Sequence, residues 1–433
     1  MKWFLGIVIL LAGALVLESG LLAYAMYVLL GVLLFSRFLT NSWIGNVTAV
    51  RQGHSNAIEI GTVLPVSIKI HNFGFWLIAW LLMEDLLPAK WLTGARLRLA
   101  VKKRRIKIVA LWESMDLQYE IHFKMRGYYQ IGPLVLETGD LFGLHRRHRV
   151  ATPAEYVLVY PRILPLEGYE IPSRRPLGEI RLTHRFFEDP TRIAGIRAYE
   201  PGDPMHRINW KVTAHTGALH TKVLEPSTMS GATLVLDFHH AGYESEQEPQ
   251  RSELAVTGVA SLAHILYLMG EPVGLVSNAR DAADRIRTQG FKYDFRTRQE
   301  ARQTGLEENP NDRLQPLAIE TQPGPEQFER IRTMLARVEL NDGLTLPQLL
   351  SLSGRFLPRN ASVIFFLPTV TPEIALALGH LRRRGYQIMA LLVAMEEIVR
   401  GRSQSLLAAE RVPFRHFQND RELTMICKMA MIR

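Results

Sequence analysis

Tyr199-Glu-Pro-Gly-Asp-Pro-Met-His-Arg-Ile-Asn-Trp-Lys-Val-Thr-Ala-His215 sits near the middle of a 433-residue chain. Pro201-Gly202-Asp203-Pro204 has the composition of a tight turn, whose amides the Asp203 side chain can cap. After it, apolar Ile208, Trp210 and Val212 interleave with Arg207, Asn209 and Lys211. That spacing can seat a Trp anchor while leaving two cations available. The stretch separates two regions whose hydrophobic patterns differ, so the chain is read outward from it in both directions.

Downstream, the pattern is that of an α/β open sheet. Ala232-Thr-Leu-Val-Leu-Asp237 is a continuous apolar run of the kind buried on both faces. Further strands are expected at 272–277, 361–367 and 386–393, and helices at 252–269, 326–338 and 373–384. Alternating strands and helices predict a sheet with helices on both faces. Residues 280–325 are polar and charge-rich, and read as an insertion.

Upstream, residues 46–162 show short alternating runs punctuated by Gly, Asn and Pro, which predicts an antiparallel β-sandwich. The runs include Val63–Ile70, Arg96–Val101, Ile106–Leu111 and Tyr119–Lys124. Arg146-Arg-His-Arg149 reads either as a solvated basic loop or as a contact for lipid or an acidic partner. No aromatic-and-basic platform accompanies it, so nucleic acid is not an expected partner. Asn46-Val-Thr48 is a glycosylation sequon that a cytoplasmic location would leave idle.

The N-terminus is apolar. Trp3–Leu17 and Leu21–Phe35 flank Glu18-Ser19-Gly20. Each run is at or below the ~20 residues of an upright span. A transmembrane helical hairpin within 1–40 is the preferred reading. A single long anchor and a cleaved signal peptide remain alternatives. Lys2, Arg37 and Arg51 flank a turn that has no cation, which puts both termini and the soluble domains in the cytoplasm. The net charge of +9 suits an anionic partner, including lipid headgroups. The single Cys427 excludes an intramolecular disulfide.

Tyr199, Gly202, Asp203, Arg207, Ile208, Trp210, Thr213 and Ala214 coincide with the signature of the DUF58 family, which the chain resembles. The pattern is Tyr-x-x-Gly-Asp-Asp-x-Arg-Arg-Ile-Asp-Trp-x-x-(Thr/Ser)-Ala-Arg. The chain departs from it at Pro204, His206, Asn209 and His215. A second block, Arg126-Gly-Tyr-Tyr-Gln-Ile-Gly-Pro followed by Gly139-Asp-Leu-Phe-Gly-Leu144, is similar to the block preceding that signature, with Leu141 in place of the usual Pro.

The resemblance implies a multidomain membrane protein of the inner membrane. Its parts would be a hairpin (1–40), a β-sandwich (46–162), a signature segment (163–230) and a von Willebrand factor A-like α/β domain (231–433). It also implies a scaffold working with a MoxR-type AAA+ ATPase, and a transglutaminase-like membrane protein as a further partner. The client process would be cell-envelope or complex assembly, by analogy only. Asp203, Arg207, Trp210 and Lys211 are the expected docking surface, with Arg207 the charged contact and Trp210 a packing anchor.

The von Willebrand factor A fold commonly binds Mg²⁺ through Asp-x-Ser-x-Ser and later Thr and Asp residues. Here Asp237-Phe-His-His-Ala241 puts His239 and Ala241 at the Ser positions. Thr345 matches the Thr, and Pro368-Thr369 stands where the later Asp is usual. Imidazole suits Mg²⁺ badly. The expectation is therefore a degenerate site (Asp237, His239, Thr345) kept as a protein-binding rim, with no cofactor and no catalytic residue. Two other classes stay open. One is an outward-facing metal-dependent adhesion module. The other is a metal-dependent hydrolase using Asp237 with His239 and His240. No catalytic motif of the nucleophile-elbow, phosphate-loop or zinc-helix type occurs.

Overall fold

A computed structural model describes residues 20–53, 55–87, 97–99, 104–141, 143, 145–167, 187–199, 205, 208–227, 231–243, 248–289, 314–358 and 361–426. The first apolar run (Trp3–Leu17), Asp203, Arg207, Cys427 and residues 290–313 of the charged insertion lie outside them. The chain divides into two compact units. One comprises Met1–Arg162 with Asp281–Asp312 and Thr333–Val338, and the other Ile163–Arg280 with Arg313–Arg332 and Glu339–Arg433.

The first unit begins with helix α1, Gly20–Gly45. It runs ten residues beyond the expected end of the span at Phe35, so Arg37 lies inside the helix rather than after it. Tyr24–Gly45 is the one helix among the described residues that is long and apolar enough to cross a membrane. Its last turns bury a single stripe, Leu33, Ser36, Thr40 and Trp43, at the three- and four-residue spacing of one helix face. Arg149 closes its C-terminus by donating to the Gly45 and Val47 carbonyls, a favourable place for a cation. From Gly20 to Val32 no described side chain is buried.

Eleven strands follow: β1 Val47–Arg51, β2 Ala57–Glu59, β3 Val63–Asn72, β4 Ile78–Asp85, β5 Leu97–Leu99, β6 Arg104–Val109, β7 Ser114–Phe123, β8 Gly127–Ile131, β9 Leu134–Gly139, β10 Arg146–Thr152 and β11 Glu155–Tyr160. They form sheets of order β1-β3-β7-β5, β10-β9-β4-β6 and β2-β11-β8. The alternation read in the sequence is the burial pattern. On β7, Met115, Leu117, Tyr119, Ile121 and Phe123 point inward, and the residues between them outward or only partly inward. All three sheets contribute to one apolar core, with Ile68, Leu81, Leu117, Leu136 and Val157 among its members. One buried ion pair crosses it. Arg51 donates to both Asp85 oxygens at 2.8 and 2.9 Å, and the Tyr119 hydroxyl donates to Asp85 at 2.5 Å. The basic cluster at 146–149 is not a loop: it forms the first four residues of β10.

In the second unit, β12 (Phe187–Ala198) pairs with β13 (His220–Ser227) as an antiparallel ribbon. A six-stranded sheet follows. Its order is Leu317–Gln322, β15 (Val273–Ser277), β14 (Ala232–Leu236), Ser362–Leu367, Ile388–Val393 and Phe414–Phe417. All neighbours are parallel except the edge strand Leu317–Gln322. That strand corrects the sequence reading, which placed it inside the insertion. An edge strand buries little, so its Leu-Ala-Ile-Glu-Thr-Gln lacks an apolar run. The insertion also contains a helix, Ala282–Gln289.

Adjacent residues of the central strand face opposite ways, as strand geometry requires. Phe365 enters a core built with helices Leu346–Leu352, Pro372–Arg383 and Glu397–Ala409. Phe366 faces Gly258 of helix Gln250–Leu268. The sheet thus carries helices on both faces. Gly231, which opens β14, has a φ of +85°, and a Cβ there would lie 2.1 Å from the Pro272 carbonyl oxygen. Only glycine fits that close approach.

Candidate functional site

Two sites follow from the sequence: the C-terminal end of β14 and the signature segment. Both lie in the second unit, and their surroundings differ.

Asp237 follows β14 directly and is buried. Its carboxylate oxygen accepts from Asn278 Nδ2 at 2.8 Å and from the His239 amide at 3.3 Å. Asn278, just past β15, is the hub. Its Oδ1 accepts from the Phe238 amide at 2.6 Å, and its Nδ2 also donates to the Leu344 carbonyl at 3.0 Å. Asn341 Nδ2 donates to the Asn278 carbonyl at 3.1 Å. The Tyr243 hydroxyl donates to the Asp237 carbonyl at 2.9 Å. Burial pushes the Asp237 carboxyl above the ordinary carboxylate range, and the Asn278 and His239 donors offset this in part.

The neighbouring residues face elsewhere. His239 Nδ1 accepts from the Ala241 amide at 3.2 Å, closing a short turn. The His240 amide donates to the Asn341 carbonyl, and His240 itself is exposed. Thr345 forms a capping box with Gln348 at the start of helix Leu346–Leu352, with its own amide donating to Gln348 Oε1 at 3.0 Å. Asp237, His239 and Thr345 therefore each serve a local hydrogen-bonding task. Among the described residues, no group of three or more His, Cys, Asp or Glu is placed to hold a metal ion.

Sequence reasoning missed Asn278, Asn341 and Arg251. Arg251 is buried near the same strand ends. Its guanidinium donates to the Val393 carbonyl at 3.2 Å and to the Pro368 carbonyl, and lies 6.0 Å from the Tyr243 ring centre. The available signal was positional. Asn278 follows its strand as Asp237 follows β14, and buried polar groups need partners.

The signature segment is built the opposite way. Asn209 stands where the pattern has Asp, yet keeps its physical role: its Oδ1 accepts from the Val212 amide at the start of helix Trp210–Thr216. Gly217 ends the helix in the left-handed conformation, with its amide on the Thr213 carbonyl. The Asn209 amide donates to the His220 carbonyl at 2.8 Å, and the His220 amide to Thr213 Oγ1 at 3.1 Å. These bonds fasten the helix to β13.

The apolar anchor is Ile208, only 4% exposed and bridged to Thr221. Trp210, expected to pack, is 63% exposed. It is the first residue of the helix. The helix has no buried residue. Lys211 is exposed beside Trp210, and Met205, at 70%, is another exposed apolar side chain of the segment.

Comparison with known proteins bears on this segment. The chain is similar over 262 residues to the uncharacterized protein YeaD of Bacillus subtilis (strain 168), at 24% identity. The similarity covers 60% of this chain and 62% of the relative, so it spans less than two thirds of the relative's length. Solved structures match at low similarity. The CARDB domain of a Pyrococcus furiosus protein, solved in complex with di-metal ions, aligns with a TM-score of 0.20 at 10% identity. It covers 26% of this chain and 91% of that one. A cohesin module from a Clostridium perfringens family 33 glycoside hydrolase aligns with a TM-score of 0.19 at 8% identity, covering 26% and 96%. Over residues 195–297, which hold the signature helix, β13, β14 and Asp237, the chain matches the family model described as "Protein of unknown function DUF58".

Proposed function

We propose that the chain is a membrane-anchored, cytoplasm-facing scaffold whose signature segment docks a partner protein. The observation that carries this reading is the helix Trp210–Thr216, which presents Trp210 to solvent while burying none of its own residues. An isolated seven-residue helix is marginal in water. This one is held by hydrogen bonds to β13, and its largest apolar side chain is left mostly to solvent. Tryptophan is the residue type most enriched at binding hot spots. Lys211 beside it adds a charge that steers an acidic partner.

In this reading the all-β unit is a sandwich placed beside the membrane. The α/β unit is a von Willebrand factor A-like module whose strand end carries the Asp237–Asn278–Asn341 network in place of a metal site. The partner expected from the family resemblance is a MoxR-type AAA+ ATPase, with a transglutaminase-like membrane protein as a further member of the assembly. ATP chemistry would then belong to the partner, and this chain would be no enzyme.

Affinity capture from solubilised membranes tests the reading. An AAA+ ATPase should co-purify with the wild-type chain, and its recovery should fall sharply with Trp210→Ala and with Lys211→Glu. Equal recovery with all three chains would exclude this segment as the docking surface. Orientation is tested separately. A C-terminal fluorescent reporter that folds only in the cytoplasm should be active, and activity of a periplasm-only phosphatase at that point would reverse the topology.

A further inference from the structure

The strand register of the first unit brings three connections to one end. The end of β3 pairs with the start of β7 (His71 opposite Ser114). The start of β4 pairs with the end of β6 (Ile78 opposite Val109). The end of β9 lies beside the start of β4 (Thr138 opposite Leu81). Residues 73–77 and 110–113 and the described residues 140, 141, 143 and 145 therefore lie at one end. Helix α1 arrives at the same end, because β1, which follows it, begins at Val47 opposite Asn72. Two contacts mark the level at which it arrives. Phe35 meets Trp76 edge to face, with ring centres 6.4 Å apart, and the Ser36 hydroxyl lies 3.2 Å from His145 Nδ1.

What these loops display is unusual for a surface in water. Phe75 is 75% exposed and Trp112 55% exposed, and Phe73, Trp76, Leu77 and Leu141 are exposed as well. Phe73 and Phe75 both meet the Trp112 ring edge to face, at 6.3 and 5.9 Å. Trp112 also has a φ of +56°. A turn position of that kind is most cheaply filled by Gly or Asn. The Trp ring keeps its contacts with Phe73 and Phe75 and still stays more than half exposed. Cations flank the aromatic tips. Arg37 is exposed on α1, and Arg146 and Arg147 are exposed at the start of β10. Aromatic side chains with Arg nearby are the side-chain set of a membrane–water interface.

The geometry points to a second membrane contact: loops 73–77 and 110–113, with Leu141, seat the β unit on the bilayer surface where α1 enters it. The occupant is lipid rather than protein because the patch is continuous with the exposed apolar half of α1 through the Phe35–Trp76 contact. The inference rests on the proposal that α1 crosses a bilayer. On that proposal, the helix preceding Phe35 would lie in hydrocarbon and Phe35 at headgroup level. The aromatic tips would then reach the same plane as Phe35, and Arg37 would meet lipid phosphate.

The test uses the full chain with Cys427→Ser and one new cysteine, either Phe75→Cys at the loops or Lys124→Cys at the opposite end of β7. Each is labelled with an environment-sensitive fluorophore and reconstituted into vesicles of phosphatidylethanolamine and phosphatidylglycerol. The label at 75 should emit at shorter wavelength and be quenched by lipids carrying a spin label near the headgroup. The label at 124 should respond only to aqueous iodide. If the chain resists alkaline extraction but the label at 75 behaves like that at 124, the anchor stands and the footing is wrong. If the label at 75 is shielded from both quenchers, a protein covers the loops and the lipid assignment fails. If the chain is released by alkali, the anchor and the footing fall together.

Discussion

The strand end at Asp237 and the helix at Trp210 belong to one unit and one family-matched segment, yet they handle their side chains in opposite ways. At Asp237 the side chains of Asp237, Asn278 and Asn341 turn inward, and Asn278 joins the ends of β14 and β15 to the Leu344 loop. At Trp210 the backbone is well satisfied, but the side chains are left to solvent. A buried polar network that satisfies itself serves the fold. An exposed apolar residue on a fastened helix adds little to the fold and much to a contact. The comparison teaches where to look for function. The proposal looks to the exposed signature helix rather than to the strand end where ligands of α/β sheets usually bind.

The strongest way to break the comparison is to remove the hub. Asn278→Ala leaves the Phe238 amide without its acceptor and takes a donor from the buried Asp237. At about 1–3 kcal/mol for each unsatisfied group, the loss should be roughly 4 kcal/mol, measured by chemical denaturation of the detergent-solubilised chain. A loss below about 1 kcal/mol would mean that the network is not structural.

Ile208 and Trp210 sharpen the comparison inside the signature segment. Ile208→Ala removes the one buried apolar side chain among the described residues of that stretch and should cost about 2 kcal/mol, the low end for such a change, because the surrounding ribbon is thin. The same denaturation experiment reads it. Equal costs at 208 and 210 would erase the distinction between anchor and docking residue.

Asp237→Asn should go the other way and stabilise the chain at neutral pH. Burial raises the Asp237 pKa above its ordinary 3.8, so the folded state holds the proton more tightly than the unfolded state. Stability contributed by this group is therefore lost as pH rises from about 3.8 through the folded value, and is flat above it. Asn keeps an acceptor for Asn278 and has no charge to bury. The melting temperature of the variant should exceed that of the wild type at pH 7, with the difference closing towards pH 4. A constant difference across that range would assign the effect to something other than the carboxylate.

Much of the architecture was legible because burial writes period into sequence. Strands β14 and β15 and the helix Gln250–Leu268 lie within two residues of their expected bounds, since both faces of a parallel sheet demand apolar runs. The edge strand Leu317–Gln322 was hidden because a half-exposed edge needs no such run. The length of α1 was misjudged because Arg37 reads as the end of a span, although a helix can continue past a charge when its next turns pack on protein. At the sites, Asn209 read only as a departure from the pattern, although its side chain suits a helix cap. The exposure of Trp210 was not legible. Alternation would place Ile208, Trp210 and Val212 on one face of a strand, but a helix begins at Trp210 and the strand period ends there. Asn278 was invisible because its partners are distant in sequence.

The most direct test of the account is Trp210→Ala read two ways on one preparation. Its stability should stay within about 0.5 kcal/mol of wild type, as for an exposed surface change. Capture of the proposed ATPase partner per folded molecule should fall sharply. A large loss of stability with capture per folded molecule unchanged would contradict the account, making Trp210 part of the fold and moving the docking surface elsewhere.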